Sequence, residues 1–181
     1  MVERLKAEHN VEIEWRPFYL YFDTPPDGRD LPEHIKQKRA NGSEERLHSI
    51  AKSYSMEFNS TERIYNTRLA HEATEYAREH GKCVEFHKVI FRMIYAEGKD
   101  PSQWDVLRSA AQEVSLDGES MQRDVESEKY KVNVEEQVRW AYQIGVTGVP
   151  TYVINDRYAI VGAQPYEVFK NALEQIKNRK D

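Results

Sequence analysis

Two regions near the ends of the chain show the alternation of apolar and polar residues that is typical of β-strands. Residues 11–16 alternate strictly, which predicts a half-buried strand. Pro17 follows within the same apolar stretch and cannot donate to a ladder, so this strand is expected at the edge of a sheet. Residues 151–154 and 158–161 are short β-rich runs on either side of residues 155–157, and they predict a β-hairpin.

Between these regions, apolar residues recur at intervals of three and four almost without a break, which predicts a mainly helical middle. Helices are expected from about Thr67 to Gly81, from Cys83 until before Gly98, and over 134–144. Residues 100–103 predict the start of a further helix, because Asp is a favoured N-cap and Pro is favoured at the first helical position. The expected buried faces are Ala70, Ala73 and Ala77; Cys83, Phe86, Ile90 and Met93; Trp104, Leu107, Ala111 and Val114; and Val134, Val138 and Ala141.

The order of these elements predicts one discontinuous α/β core. Residues 2–9 have the pattern of a helix end, and Pro165 opens a final amphipathic helix. Residues 1–30 and 131–181 are therefore expected to form the core, and residues 31–130 a helical insertion within it.

Composition excludes several classes of protein. The 181 residues are 39% hydrophobic and 31% charged, which is enough apolar material for a packed core and excludes general disorder. The net charge of −5 and the lack of a long basic run argue against a nucleic-acid partner. No apolar stretch reaches the about 18 residues that cross a bilayer, and the N-terminus has the pattern of a charged helix rather than a signal peptide. These features predict a cytoplasmic protein without a membrane partner.

Cysteine usage restricts the chemistry further. Cys83 is the one cysteine in the sequence, so the chain has no internal disulfide, no CxxC motif and no cysteine-rich zinc site. Its place on an apolar helical stripe predicts a structural core thiol rather than a nucleophile. We therefore assign no catalytic residue, no metal ligand and no resident cofactor to the chain.

The most informative local motif is GVTGVPT at 145–151, which combines a helix stop, a glycine-bearing loop and a proline directly before a predicted strand. Taken alone, the rarity of cis X–Pro bonds favours a trans Pro150. Together with NTRLAH at 66–71 and GAQP at 162–165, however, the segment resembles the cis-proline loop of DsbA-family proteins of the thioredoxin superfamily, in their FrnE-like branch. The resemblance covers essentially the whole chain.

This resemblance implies an α/β, thioredoxin-like fold with a large helical insertion, and a cis Val149–Pro150 bond. It also implies a protein thiol-disulfide oxidoreductase, in which a first strand leads to a CxxC motif (or a serine variant) at a helix N-terminus. Both would lie upstream of Met1, so we expect the first β-strand and the redox motif to be absent from this chain and its N-terminus to be truncated.

The same resemblance implies a substrate-binding set formed by Val149, Pro150, Thr151 and Asn66. The Val149 N–H and C=O would pair with an extended substrate backbone. Two interpretations of Asn66 stay open: the residue lies near the active site, or either Asn66 or Thr67 caps a helix. His71 is interpreted as an ordinary helical histidine.

Two alternative functions also remain. The first is a glutathione-dependent transferase or isomerase of the kappa-class or 2-hydroxychromene-2-carboxylate isomerase type, and the second is a non-catalytic thioredoxin-like binding module. The residue that separates the oxidoreductase from the glutathione-dependent enzymes, a cysteine in the former and a serine in the latter, is expected upstream of Met1. The partners expected are protein or peptide thiols and disulfides, with glutathione as the co-substrate of the first alternative, and a homodimer is compatible with the sequence.

Overall fold

The computed structural model describes residues 2–178, and within them the fold is mainly helical with two small antiparallel sheets. The helices are α1 (Val2–Glu8), α2 (Glu33–Lys38), α3 (Glu44–Ser53), α4 (Arg68–Glu79), α5 (Cys83–Tyr95), α6 (Trp104–Glu113), α7 (Gly118–Glu126), α8 (Lys131–Gln143) and α9 (Tyr166–Asn178). A π-helical turn, Arg39–Ser43, joins α2 to α3. The strands are β1 (Arg29–Asp30), β2 (Arg63–Ile64), β3 (Thr151–Ile154) and β4 (Tyr158–Val161).

The chain divides into two compact units. One combines Met1–Leu20 with Gln137–Asp181, and the other is Tyr21–Glu136. The boundaries expected from the sequence were residues 30 and 131, whereas the structural boundaries follow Leu20 and fall inside α8.

The larger unit has its core around α4. Ala70, Ala73 and Ala77 are buried on one face of this helix, and their small side chains permit close packing of its neighbours. Helix α4 packs against α5 and α7, while α6 packs against α5 and α7. The other buried members of this core are Tyr76, Phe86, Ile90, Met93, Val106, Leu107, Ala110, Ala111, Val114, Met121, Val125 and Tyr130. The apolar faces predicted for these helices are thus buried, except that Cys83 and Trp104 are only partly so.

The smaller unit contains the predicted hairpin. Strands β3 and β4 pair antiparallel, with Thr151 opposite Val161 and Ile154 opposite Tyr158. Asn155 and Asp156 both have positive φ, the signature of the tight turn that matches strand twist. Beneath the hairpin, Phe169 of α9 is buried in edge-to-face contact with the Tyr152 ring, with centroids 4.7 Å apart. The amphipathic pattern after Pro165 therefore forms α9 as predicted.

Residues 11–16 do not form the predicted strand. Their exposure alternates as expected, with Val11, Ile13 and Trp15 partly buried between exposed neighbours. Within residues 2–178, however, no segment pairs with them in a ladder, and they do not pair with β3. Alternation fixes which side chains face inward, but a strand also requires a hydrogen-bonded neighbour. The prediction of a strand at residues 11–16 is therefore wrong.

The helical middle is also less continuous than predicted. Residues 54–62 are irregular. Strands β1 and β2 form a ladder of only two residues each, which is too short to show the alternation of apolar and polar residues that predicts a strand. Helix α6 begins at Trp104 rather than Pro101, because Asp100 instead accepts the Ser102 N–H at 2.9 Å and closes a turn before the helix. Within the described residues, no helix is long and apolar enough to cross a membrane.

Candidate functional site

The candidate site is the loop that leads from α8 to β3 in the smaller unit. Helix α8 ends where Gly145 adopts φ of +82°, and the Val146 N–H then donates to the Ala141 carbonyl at 2.9 Å. The Gly145 N–H donates to the Tyr142 carbonyl at 3.0 Å. These paired bonds form a glycine-terminated helix end that fixes the direction in which the chain leaves α8.

The loop presents Val149 on the surface. Val149 is 53% exposed, and the Val149–Pro150 peptide bond is cis. Among residues 2–178, no hydrogen-bond partner is found for the Val149 N–H or for its carbonyl oxygen. The N–H donor and the C=O acceptor of one exposed residue are thus available together, and a second extended chain can form hydrogen bonds with both.

Two hydrogen bonds hold the residues on either side of Val149. The Thr151 hydroxyl donates to the Gly148 carbonyl at 2.7 Å. The Gly162 N–H, just after β4, donates to the Pro150 carbonyl at 2.8 Å. Val149 therefore lies between two anchored carbonyl groups, while its own backbone groups have no hydrogen-bond partner in the described part of the chain.

The GAQP motif forms one of these anchors. Gly162 has φ of +83°, a conformation that residues with a Cβ rarely adopt. Gln164 stabilises the turn, because its side-chain nitrogen donates to the Val161 carbonyl at 2.9 Å and its N–H donates to the Gly162 carbonyl at the same distance. The two motifs GVTGVPT and GAQP thus meet at one hydrogen bond, a contact that sequence reasoning missed because it treated GAQP only as a mark of resemblance.

Three of the four predicted substrate residues, Val149, Pro150 and Thr151, lie together in this loop. Asn66 belongs to the other unit, where its amide nitrogen donates to the Thr24 carbonyl at 2.7 Å and its amide oxygen accepts the Arg68 N–H at 3.0 Å. Both ends of the amide are therefore engaged in joining the 24–28 loop to the start of α4. The N-cap position of α4 is Thr67, and the Asn66 side chain closes a turn directly before it, so this geometry favours a structural role for Asn66.

The thiol of Cys83 lies at the start of α5 in the larger unit and is partly buried. Burial raises its pKa above the ordinary value, which reduces the thiolate fraction at neutral pH. No group of three or more His, Cys, Asp or Glu side chains placed to hold a metal ion occurs among residues 2–178.

Comparison with known proteins identifies relatives of this chain in sequence and in fold. The chain is 29% identical over 181 residues to the uncharacterized protein YwbO of Bacillus subtilis (strain 168), a match that covers 98% of this chain and 88% of YwbO. The crystal structure of a probable DsbA oxidoreductase from Streptomyces coelicolor aligns with a TM-score of 0.79 and 26% identity, covering 92% of this chain and 76% of that one.

A 2-hydroxychromene-2-carboxylate isomerase has the same fold. It aligns with a TM-score of 0.78 over 97% of this chain and 86% of its own, at 16% sequence identity. Residues 1–174 match the DSBA-like thioredoxin domain, so nearly the whole sequence, the hairpin and its proline loop included, is covered by one family. The chain belongs to the DSBA-like thioredoxin domain family.

Proposed function

We propose that this chain is the substrate-binding portion of a DsbA-type protein thiol-disulfide oxidoreductase, with the redox cysteine pair outside the 181 residues. The backbone groups of Val149 would hold an extended, cysteine-containing segment of a protein or peptide. The residues assigned to this site are Val149, Pro150 and Thr151. Asn66 is left out of the proposed site, because both ends of its amide are already engaged.

The observation that carries the proposal is the unpaired N–H and C=O of the exposed Val149. An extended peptide running antiparallel to the loop would accept a hydrogen bond from the Val149 N–H and donate one to the Val149 carbonyl. Recognition through backbone groups depends little on the substrate sequence. That property suits an enzyme that acts on cysteines in many different proteins.

The proposed reaction uses a pair of cysteines that these 181 residues do not supply. The first, as a thiolate, attacks one sulfur of the substrate disulfide, forms a mixed disulfide and releases the other substrate sulfur as a thiolate. The second cysteine then attacks the mixed disulfide, so the substrate leaves as a dithiol and the enzyme pair becomes a disulfide. Two electrons pass to the substrate, and the reverse sequence of steps oxidises it.

A glutathione-dependent transferase or isomerase remains the alternative function. The 2-hydroxychromene-2-carboxylate isomerase supports this alternative only at the level of fold, because the sequence identity is 16%. In that reaction class glutathione would be a co-substrate and a serine would replace the first cysteine. A cytoplasmic location and a homodimer likewise stay predictions.

Peptide binding tests the substrate half of the proposal. The probe is an unstructured peptide with one central S-methylcysteine, which cannot exchange disulfides, titrated into the 15N-labelled chain and followed by NMR. We expect the Val149 amide resonance to shift more than those of β4. The matched control is the same peptide with a methyl group on the backbone nitrogen of its central residue, which removes the donor to the Val149 carbonyl.

The N-methylated peptide should bind about three- to tenfold more weakly, the effect of losing one hydrogen bond. Equal binding of both peptides, or no shift at Val149, would contradict the assignment.

The redox half of the proposal is tested with the protein extended upstream through the codons that precede Met1 in its gene. We expect a CxxC motif there and disulfide exchange that is abolished when its first cysteine is replaced by serine; a serine at that position would instead support the glutathione alternative.

A further inference from the structure

Thr151 has a geometry that goes beyond simple contact with a substrate. Its hydroxyl donates to the Gly148 carbonyl at 2.7 Å, across the two residues that separate them. The Gly148 carbonyl and the Val149 N–H belong to one planar trans peptide unit, in which the C=O and N–H bonds point in opposite directions. The bond that fixes the carbonyl therefore also fixes the direction of the Val149 N–H.

Gly148 makes such an anchor necessary. Apart from its chain neighbours, no atom lies within 4 Å of the position that a Cβ would occupy at Gly148, so the space on that side of the residue is open. Glycine also allows the widest range of backbone rotation. Without the hydroxyl of Thr151, the 148–149 peptide unit would be free to rotate and to turn the Val149 N–H away from a substrate.

The second anchor acts on the other side of Val149. The Pro150 carbonyl accepts the Gly162 N–H at 2.8 Å, and the proline ring restricts rotation at its own nitrogen. The Val149 carbonyl is therefore held by the backbone of Pro150. Only the Val149 N–H depends on a side chain for its orientation, and that side chain is Thr151.

We infer that Thr151 is a positioning residue, whose hydroxyl aims the Val149 N–H at the substrate backbone and so sets the affinity for extended peptides. This inference rests on the proposed function, because it deepens the role assigned to the Val149 loop. The chemical group that matters is the hydroxyl. Serine should replace threonine at this position, whereas the isosteric valine should not.

The first test measures the loop without a ligand. In Thr151→Val, the 15N order parameter of the Val149 amide should fall, which reports greater picosecond-to-nanosecond motion, while Thr151→Ser should keep the value of the parent chain. The amides of β4 serve as an internal reference, since a general loss of structure would move them as well. Unchanged order at Val149 in Thr151→Val would overturn the inference whether or not the peptide binds.

The second test measures binding of the S-methylcysteine peptide. We expect Thr151→Val to weaken binding about three- to tenfold, and Thr151→Ser to bind as the parent chain does. If the parent chain does not bind the peptide, the proposed function fails. If the parent chain and Thr151→Val bind equally well, the proposed function survives and the inference about Thr151 is wrong.

A double variant tests the mechanism directly. Alanine fits at Gly148, because its φ lies outside the left-handed region and its Cβ would contact nothing within 4 Å. Gly148→Ala should restrict rotation of the 148–149 peptide unit, and so Gly148→Ala combined with Thr151→Val should regain part of the lost affinity. An additional loss of affinity in the double variant would contradict the orienting role of Thr151.

Discussion

The backbone N–H of Gly162 lies 2.8 Å from the carbonyl oxygen of Pro150, so the turn that follows the hairpin holds the loop that precedes it. Strands β3 and β4 bring these two residues together because Thr151, which follows Pro150, pairs with Val161, which precedes Gly162. The short hairpin is therefore the scaffold of the candidate site. Its register determines which carbonyl is anchored and which backbone groups remain available to a substrate.

We expect Gly162→Ala to weaken this anchor. Gly162 has φ of +83°, and holding an alanine in that region costs about 1–2 kcal/mol. The added Cβ would lie 3.6 Å from the Gln164 side-chain nitrogen, an ordinary contact, so backbone strain rather than a clash is the cause. Urea denaturation should show a corresponding decrease in the free energy of unfolding, and binding of the S-methylcysteine peptide should weaken.

Gly148→Ala is the matched control for this prediction. Gly148 has neither a left-handed φ nor a close neighbour, so alanine there should leave the free energy of unfolding unchanged or raise it by up to about 1 kcal/mol. Equal destabilisation by the two substitutions would mean that the positive φ of Gly162 is not the cause.

Local patterns were sufficient to predict most helices and the hairpin. The spacing of Ala70, Ala73 and Ala77 identified a buried helical face, and the β-rich runs around Asn155 identified a turn whose φ values are indeed positive. Residues 11–16 failed as a strand because alternation reports burial and not the presence of a pairing partner. The N-cap of α7 at Asp117, which accepts the N–H groups of Glu119 and Ser120, was missed although its sequence signal is ordinary.

The candidate site was predicted only in part. Proline and glycine marked the 145–151 loop, because these residues have strong backbone preferences. The anchors of the loop could not be derived in the same way. The bond from Gly162 to Pro150 depends on the hairpin register, and the two bonds of the Asn66 amide depend on where residue 24 lies, so both are consequences of tertiary structure.

A buried carboxyl group should make stability depend on pH. The side chain of Glu72 is 1% exposed; Arg68 donates to Oε1 at 2.8 Å, and Oε2 has no hydrogen-bond partner among the described residues. Burial raises the pKa of Glu72 above its ordinary value of 4.5, against the opposing effects of Arg68 and of Lys131; Glu128 raises it slightly. The folded chain therefore binds this proton more tightly than the unfolded chain does.

A group whose pKa is higher in the folded state than in the unfolded state stabilises the fold fully at pH values below its unfolded-state pKa. This stabilisation is lost as the pH rises through its folded-state pKa. We therefore expect Glu72→Gln, which cannot ionise, to become progressively more stable relative to the parent chain between pH 4 and pH 7. Urea denaturation at each pH measures the difference in the free energy of unfolding. A difference that stays constant with pH would contradict the prediction.

Glu75, one turn along the same face of α4, provides a contrast. It is 5% exposed, but its Oε2 accepts both from Arg78 and from Asn133 at 3.1 Å. Glu75→Gln should destabilise the chain at neutral pH by about 1 kcal/mol, because the uncharged amide oxygen that replaces the carboxylate accepts weaker hydrogen bonds from Arg78 and Asn133. Both substitutions replace Glu by Gln. If they change the free energy of unfolding in opposite directions at pH 7, the difference must come from the hydrogen-bond partners of each carboxylate.

Asn66→Ala distinguishes the two interpretations of Asn66. Loss of the bonds to Thr24 and Arg68 should lower the free energy of unfolding by about 1–2 kcal/mol, as expected for the loss of two hydrogen bonds. The affinity of the folded chain for the S-methylcysteine peptide should not change. A large loss of affinity without loss of stability would return Asn66 to the substrate site.

The 181-residue chain should not catalyse disulfide exchange, because its one thiol has no second cysteine to resolve a mixed disulfide. Burial raises the pKa of Cys83, so the pH midpoint for its alkylation by iodoacetamide should lie above the midpoint measured for free glutathione. Cys83→Ala should leave peptide binding unchanged, and in the upstream-extended protein it should leave exchange activity unchanged as well. Exchange is measured as reduction of a small disulfide-bonded protein in a glutathione buffer. Strong activity of the 181-residue chain that disappears in Cys83→Ala would show that Cys83 is catalytic, and it would refute the proposal that the redox cysteines lie outside this sequence.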